Sequence, residues 1–234
     1  MNVLITGASR GIGAAAYALF KSTGHNVVGH STKGGGELIA GDLQQADAPR
    51  AIWAEALERL DGRIDVLVNN AGIYEAVAAE VDDDREWRSQ WSRTVTINLQ
   101  APADLSRFAI RHFREIGGGR IVNVASRAAW RGDSPQHWHY AASKGALIAM
   151  TKSIARGYAS EGILAFAVSP GFTVSEMTEE YLTGRGGEKI LAEIPLGRVA
   201  STDEVAETIR WLAIDAPPSA TGANIDVNGA SYVR

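Results

Sequence analysis

Three side chains carry the clearest potential for chemistry in this chain: Ser126, Tyr140 and Lys144. Tyr140 and Lys144 stand one helical turn apart in Tyr-Ala-Ala-Ser-Lys, so a helix there places both on one face. A free phenol has a pKa of about 10 and exchanges protons poorly at neutral pH. A neighbouring ammonium favours the phenolate, and lowering that pKa to about 7 takes about 4 kcal/mol of differential stabilisation. A tyrosine so poised can hand a proton to a carbonyl oxygen or take one from an alcohol. Ser126 follows an apolar run at 121–124, and from a strand end its hydroxyl can hydrogen-bond the same oxygen. Tyr-x-x-x-Lys alone is common on helices. Its weight comes from its register after Ser126 and after a glycine-rich segment near the N-terminus.

That segment reads Thr6-Gly7-Ala8-Ser9-Arg10-Gly11-Ile12-Gly13, between an apolar run at 3–5 and a helical pattern. This is the context that a dinucleotide-binding turn requires. Gly7 suits the tight turn, Gly11 the approach of a pyrophosphate, and Gly13 close packing of helix on strand. The helix N-terminus, with Ser9, Arg10 and Ile12 around it, offers free N–H groups and partial positive charge to phosphates. At the next strand end the run His30-Ser31-Thr32-Lys33 has no carboxylate to hold a ribose 2′-hydroxyl. Hydroxyls and cations there, with Arg10, favour a 2′-phosphate. NADP(H) is the expected cofactor, with NAD(H) left open.

The elements that position these groups are legible as an alternation. Short apolar, β-branched runs at 3–5, 27–28, 38–40, 64–68, 121–124, 163–168 and 225–227 read as strands buried on both faces. Helical patterns occupy 12–23, 48–59, 83–115, 140–160 and 203–214, and Pro102 predicts a kink or break in the third. Asp82, Asp83 and Asp84 suit the positive end of that helix. The β-α alternation predicts an α/β fold of Rossmann type: a doubly wound, mostly parallel sheet with helices on both faces. One domain over 1–234 is expected, with ligands beyond the carboxyl ends of the strands.

Composition narrows the function classes. The chain has 234 residues and no cysteine, which removes disulfide scaffolds, thiolate metal sites and cysteine nucleophiles. A net charge of −4 gives no reason to expect nucleic acid or an anionic membrane as partner. The longest apolar run, 163–168, is far short of the ~20 residues of a membrane span. A cytoplasmic protein is expected. His137 and His139 are only two candidate ligands, so no metal site is expected.

With Asn69-Asn70-Ala71-Gly72, Asn98, Pro170-Gly171 and Thr221-Gly222 added, the chain resembles the short-chain dehydrogenase/reductase family in its compact form, from Val3 to Gly229. The resemblance implies a seven-stranded sheet, a nicotinamide cofactor, and a homodimer or homotetramer. It makes Tyr140 the acid/base, Ser126 the group that orients and polarises the substrate oxygen, and Lys144 the residue that lowers the tyrosine pKa and holds the nicotinamide ribose. Asn98 matches an asparagine that binds a water linking Lys144 to solvent. Asp42 and Leu43 match adenine contacts, while Asn70, Ala71 and Gly72 line the adenosine side or form a structural turn. Pro170, Gly171 and Thr173 border the nicotinamide, and Ser175 stands where the family often has a threonine on the carboxamide.

The segment between Ser126 and Tyr140 is one residue longer than commonly seen and rich in large groups. Trp130, Trp138, His139 and Phe172 are the expected substrate contacts, under a lid at about 172–195 whose Gly184, Gly186 and Gly187 suggest mobility. Arg127 and Arg131 are expected to be solvated or surface-paired, with an anionic substrate as the alternative. Trp87 and Trp91 are expected in the core or a subunit contact. The leading expectation is hydride transfer between NADP(H) and a carbonyl or secondary alcohol. A 3-oxoacyl-carrier-protein reductase is the alternative within that class. A non-catalytic dinucleotide sensor is disfavoured because all four catalytic positions are filled. A nucleotide-sugar epimerase generally needs a larger C-terminal region.

Overall fold

A computed structural model describes residues 1–173 and 191–234. Seven strands form one sheet: β1 (Asn2–Thr6), β2 (Asn26–Ser31), β3 (Ile39–Ala40), β4 (Val66–Asn69), β5 (Gly119–Val124), β6 (Ile163–Pro170) and β7 (Asn224–Val227). Their order is β3-β2-β1-β4-β5-β6-β7, and every pairing is parallel. The sequence order turns around at β1, which pairs Thr6 with His30 of β2 on one side and Ile5 with Val68 of β4 on the other. The crevice beyond these carboxyl ends is where an open α/β sheet binds ligands.

Helices cover both faces: α1 (Gly11–Ser22), α2 (Ala48–Arg59), α3 (Asp84–Val95), α4 (Ala101–Ile116), α5 (Ala128–Arg131), α6 (Trp138–Tyr158) and α7 (Thr202–Ile214). Strand alternation splits the core in two. Leu4, Leu67, Ile121 and Ile163 face Ile52, Leu105 and Phe113. Val3, Ile5, Val68, Val122 and Phe166 face Phe20, Val205, Ile209 and Leu212. Both faces being buried explains why the strands read as continuous apolar runs.

The long helical pattern at 83–115 breaks where proline predicts, but by a specific device. Asp83 caps α3 by accepting a hydrogen bond from the Arg85 N–H. A π-helical turn at Thr96–Gln100 then joins α3 to α4, with the Ala101 N–H donating to Thr96 O. Pro102 sits in the first turn of α4 and has no N–H to give to the carbonyl of Asn98. The ladder widens by one residue there, and such bulges re-aim side chains. The last long helix opens with a capping box: Ser201 and Glu204 satisfy each other's backbone N–H groups at the start of α7. Among the described residues, no helix is long and apolar enough to cross a membrane.

Candidate active site

Tyr140 and Lys144 lie in the first two turns of α6, facing the end of β5 that leads into Ser126. Two polar bridges fix that helix to the sheet. Asn69 Nδ2 donates to Asn123 Oδ1 at 2.8 Å, and Asn123 Nδ2 donates to Thr151 Oγ1 at 2.8 Å, so β4, β5 and α6 are tied through buried side chains. Ser126 Oγ accepts from the Ala128 N–H at 3.1 Å, which sets its rotamer at the start of α5. Tyr140 is half-buried, and its hydroxyl is hydrogen-bonded to the Ser126 side chain.

Lys144 is 3% exposed and donates from Nζ to Val124 O at 2.8 Å. Its ammonium lies 5.8 Å from the centre of the Tyr140 ring. Burial pulls its pKa from 10.5 down to about 8, because the charged form loses water. Burial also pushes the Tyr140 phenol above its ordinary value, while the bond with Ser126 acts the other way and Asp133 adds to the rise. In this state, therefore, Lys144 does not hold the phenol low. Tyr140 is a proton donor, and the lysine charge beneath its ring is in place for the phenolate that forms when the proton leaves.

The π turn aims Asn98 into the same floor. Its side chain is fully buried and clamps the Ile73 backbone: Oδ1 accepts from the Ile73 N–H at 2.8 Å, and Nδ2 donates to Ile73 O at 2.9 Å. A methyl group built on Gly72 would lie 3.3 Å from Asn98 Oδ1 and 3.4 Å from Lys144 Nζ, so Gly72 separates these two groups by little more than its own backbone.

The glycine turn divides its three residues by role. A Cβ on Gly13 would lie 2.0 Å from Gly7 O, and one on Gly7 would lie 2.8 Å from Ala71 Cα. Both positions are filled by backbone, as close packing of α1 and β4 requires. Gly11, at φ +55°, has nothing within 4 Å of such an atom. That open space faces an α1 N-terminus whose capping residue, Arg10, supplies no side-chain hydrogen bond, leaving N–H groups for an anion. Asn70 is occupied structurally: Nδ2 donates to Thr6 O at 2.9 Å and Gly7 O at 3.1 Å. The Ala71 N–H donates to Thr6 Oγ1 at 3.1 Å.

At the end of β2, His30 is buried, and its Nε2 donates to Gly41 O at 2.8 Å. Its Nδ1 is buried with no partner among the described residues, and burial lowers the ring's pKa. The neutral ring thus leaves Nδ1 as an unpaired acceptor. Ser31 is buried on Gly34 O, whereas Ser9, Arg10, Thr32 and Lys33 are exposed. Leu43 belongs to the core, and Asp42 accepts from the Gln44 N–H. These residues fit the adenosine phosphates and ribose of a dinucleotide: open space at a helix N-terminus, an orphan acceptor, and nearby cations.

A family model described as enoyl-(acyl carrier protein) reductase matches residues 7–230. The chain belongs to the short-chain dehydrogenase/reductase family. It is 34% identical to the 3-oxoacyl-[acyl-carrier-protein] reductase FabG of Escherichia coli, over 98% of this chain and 96% of that one. It is 32% identical to FabG of Staphylococcus aureus, over 99% and 98% of the two chains. The crystal structure of TT0495 protein from Thermus thermophilus superposes with a TM-score of 0.89 at 29% identity, covering 98% of each chain. As a short-chain dehydrogenase/reductase, it is an NAD(P)-dependent oxidoreductase.

On the substrate side this short-chain dehydrogenase/reductase departs from the sequence expectations. His139 is fully buried, with Nε2 donating to Glu75 O at 2.9 Å and its ring 5.8 Å from Trp91. It joins α6 to α3 inside the protein, because the residue before Tyr140 faces a different side of the helix. Trp130 packs on Ala125, Ile148 and Ala167, with Lys152 and Arg234 over its ring at 4.9 and 4.5 Å. Trp138 is 46% exposed, bonds Pro135 O through Nε1, and meets Trp87 edge-on at 5.4 Å. Trp87 and Trp91 thus pack against α6 within one chain.

Of the rings near Tyr140, the sequence did not single out Tyr74 and weighed His137 only as a metal ligand. Tyr74 meets Tyr140 edge-on at 4.8 Å and stacks on His137 at 3.9 Å. The Tyr74 hydroxyl donates to Asp133 Oδ1 at 3.1 Å. Only their proximity to Asn-Asn-Ala-Gly and to Tyr140 in the sequence could have flagged them. Arg127 is also buried, not solvated, and lies 4.7 Å from the centre of the Phe172 ring. Pro170 ends β6, the Gly171 N–H donates to Val227 O at 2.9 Å, and Thr173 pairs with Ala200. Ser175, Gly184, Gly186, Gly187 and most of the expected lid lie outside the described residues.

Proposed function

We propose that this oxidoreductase reduces a small carbonyl compound to a secondary alcohol, or runs the reverse reaction, with NADP(H) as preferred cofactor and Tyr140 as the acid/base. The observation that carries this reading is the convergence of three groups: the Tyr140 phenol bonded to Ser126, with the buried Lys144 ammonium 5.8 Å from its ring. When bound, the nicotinamide supplies or accepts the hydride at its C4. Tyr140, protonated at neutral pH because burial raises its pKa, gives its proton to the carbonyl oxygen. Ser126 donates a hydrogen bond to that same oxygen as negative charge builds on it. Lys144, largely an ammonium below its pKa of about 8, stabilises the phenolate left behind. Asn98 holds the Ile73 backbone that floors the pocket.

In this reading the N-terminus of α1 and Gly11 would hold the pyrophosphate, and His30 Nδ1 would accept from a ribose hydroxyl. Exposed Arg10, Thr32 and Lys33 meet the 2′-phosphate. Asp42, Leu43, Asn70, Ala71 and Gly72 line the adenosine side. Pro170, Gly171, Thr173 and Ser175 border the nicotinamide. The enzyme works in the cytoplasm as a homodimer or homotetramer. The FabG relatives favour a second reading within the same chemistry, reduction of a 3-oxoacyl thioester.

The test is Tyr140→Phe assayed by NADPH absorbance with a panel of ketones, alongside fluorescence titration of the nucleotide. Loss of at least about 100-fold in kcat with unchanged nucleotide binding is expected. A fully active variant would sink the mechanism. Tighter binding of NADH than NADPH would refute the cofactor preference, and His30→Asp should push the preference toward NADH by repelling a 2′-phosphate.

A further inference from the structure

Arg127 directly follows Ser126, yet the reaction described above does not use its guanidinium. The residue is 8% exposed, and its Nη1 has no hydrogen-bond partner among the described residues. Its backbone N–H donates to Pro170 O at 3.0 Å, and its guanidinium lies 4.7 Å from the centre of the Phe172 ring. The side chain is therefore pinned between the end of β5 and the segment that follows β6, and its aromatic neighbour supports a flat, fixed orientation.

Among the described residues, the carboxylates that act on it are engaged elsewhere. Glu193 pairs with Arg131 at 3.3 Å. Asp133 accepts from the Tyr74 hydroxyl at 3.1 Å and from the Ser134 N–H at 2.7 Å. Burial, and then the like charge of Arg131, lower the pKa of Arg127, while Glu193, Asp133 and Tyr74 raise it. The guanidinium stays charged throughout the working range. Asp133 acts electrostatically on Tyr140 as well as on Arg127, and Tyr74, which meets Tyr140 edge-on at 4.8 Å, also acts on Arg127.

A buried cation without a counter-ion is costly unless a ligand completes it. A guanidinium held against an aromatic ring with Nη1 unpaired can donate to a carboxylate, the anion its planar fork matches best. We propose that Arg127 is a specificity-determining residue that receives a carboxylate of the substrate, so that the enzyme acts on oxo acids and hydroxy acids in preference to neutral ketones or thioesters. This rests on the carbonyl-reduction reading. Ser126 and Arg127 are consecutive in the chain, and the ligand inferred is one small molecule that carries both the carboxylate and the reacting carbonyl.

The experiment compares 2-, 3- and 4-oxopentanoate with their methyl esters, using NADPH and NADH, in wild type, Arg127→Met and Arg127→Gln. In wild type, kcat/KM for the best acid should exceed that of its ester by about 30-fold or more, the scale of a buried charged hydrogen bond. In Arg127→Met the ratio should fall to about one, chiefly through KM for the acid. Nucleotide titration and circular dichroism establish that the variant is folded. If it is not, Arg127→Gln decides, and a ratio unchanged from wild type overturns the proposal. Wild type that turns over esters as readily as acids overturns the role of Arg127 alone. No turnover of either series with either nucleotide overturns the carbonyl-reduction reading and this proposal with it.

Discussion

Alanine at Gly13 and alanine at Gly11 should fail in different ways. Gly13 lies inside α1, where helix propensity alone would make alanine more stable by about 1 kcal/mol. The structure reverses that sign. The added methyl carbon would lie 2.0 Å from Gly7 O and 2.4 Å from Asn70 Nδ2, and the first of these is backbone that cannot rotate away. Relief requires α1 to move off the β1 turn, and overpacking of this kind costs about 3 kcal/mol. For a chain of this length that lowers the thermal midpoint by about 6–12 °C. At Gly11 the added atom meets nothing within 4 Å, but the backbone sits at φ +55°. The strain is about 1–2 kcal/mol, or a fall of about 2–8 °C. The methyl group would, however, occupy the space over the α1 N-terminus that the pyrophosphate needs. Gly11→Ala should stay folded and lose nucleotide affinity by at least tenfold. Thermal melting and nucleotide fluorescence titration read the two effects separately. A Gly13→Ala protein that melts at or above the wild-type temperature would refute the packing argument. A Gly11→Ala protein that binds nucleotide as wild type does would refute the placement of the phosphates.

Other consequences follow from the buried ionisable groups and their neighbours. Lys144 has a folded-state pKa of about 8 against 10.5 unfolded, so the unfolded chain binds more protons between those values and stability rises with pH there. Relative to Lys144→Met, wild type should gain ~2 kcal/mol between pH 7.5 and 9.5, seen as a converging or crossing pair of melting curves; parallel curves would refute the burial of a titrating lysine. Ser126→Ala removes the bond that lowers the Tyr140 pKa, so the pH profile for alcohol oxidation should shift to higher pH, and an unshifted profile would count against that contact. His139→Ala should lower the melting temperature by several degrees while leaving KM for substrate within about twofold, since the ring is buried on Glu75 O and not in the pocket. Gly72→Ala should lower kcat with little loss of stability, because its methyl group meets Asn98 Oδ1 and Lys144 Nζ at 3.3 and 3.4 Å; unchanged turnover would contradict that geometry.

Much of this protein was legible in one dimension. The alternation of buried strands and helices, the three glycines of the β1–α1 turn, and the Ser126, Tyr140 and Lys144 register all depend on short-range rules. Strand periodicity, backbone φ and the helical repeat act over a few residues, so spacing alone reveals them. Even the break near Pro102 could be anticipated, although its resolution as a π turn that aims Asn98 could not. The substrate side depended on which face of α6 points where. His139 and Trp130 were expected at the pocket, but His139 turns inward to Glu75 O and Trp130 lies between Lys152 and Arg234. The groups that do border Tyr140 come from distant segments: Tyr74 follows β4 and Asp133 follows α5. Arg127 shows the same division at a single residue. The sequence reads it as a surface arginine, with a contact to an anionic substrate as the alternative. Packing on Phe172, and the prior engagement of Glu193 and Asp133 by other partners, leave it a buried cation without a counter-ion among the described residues. A local pattern determines which chemistry a chain can carry, whereas burial and the competition for partners exist only once distant segments are brought together.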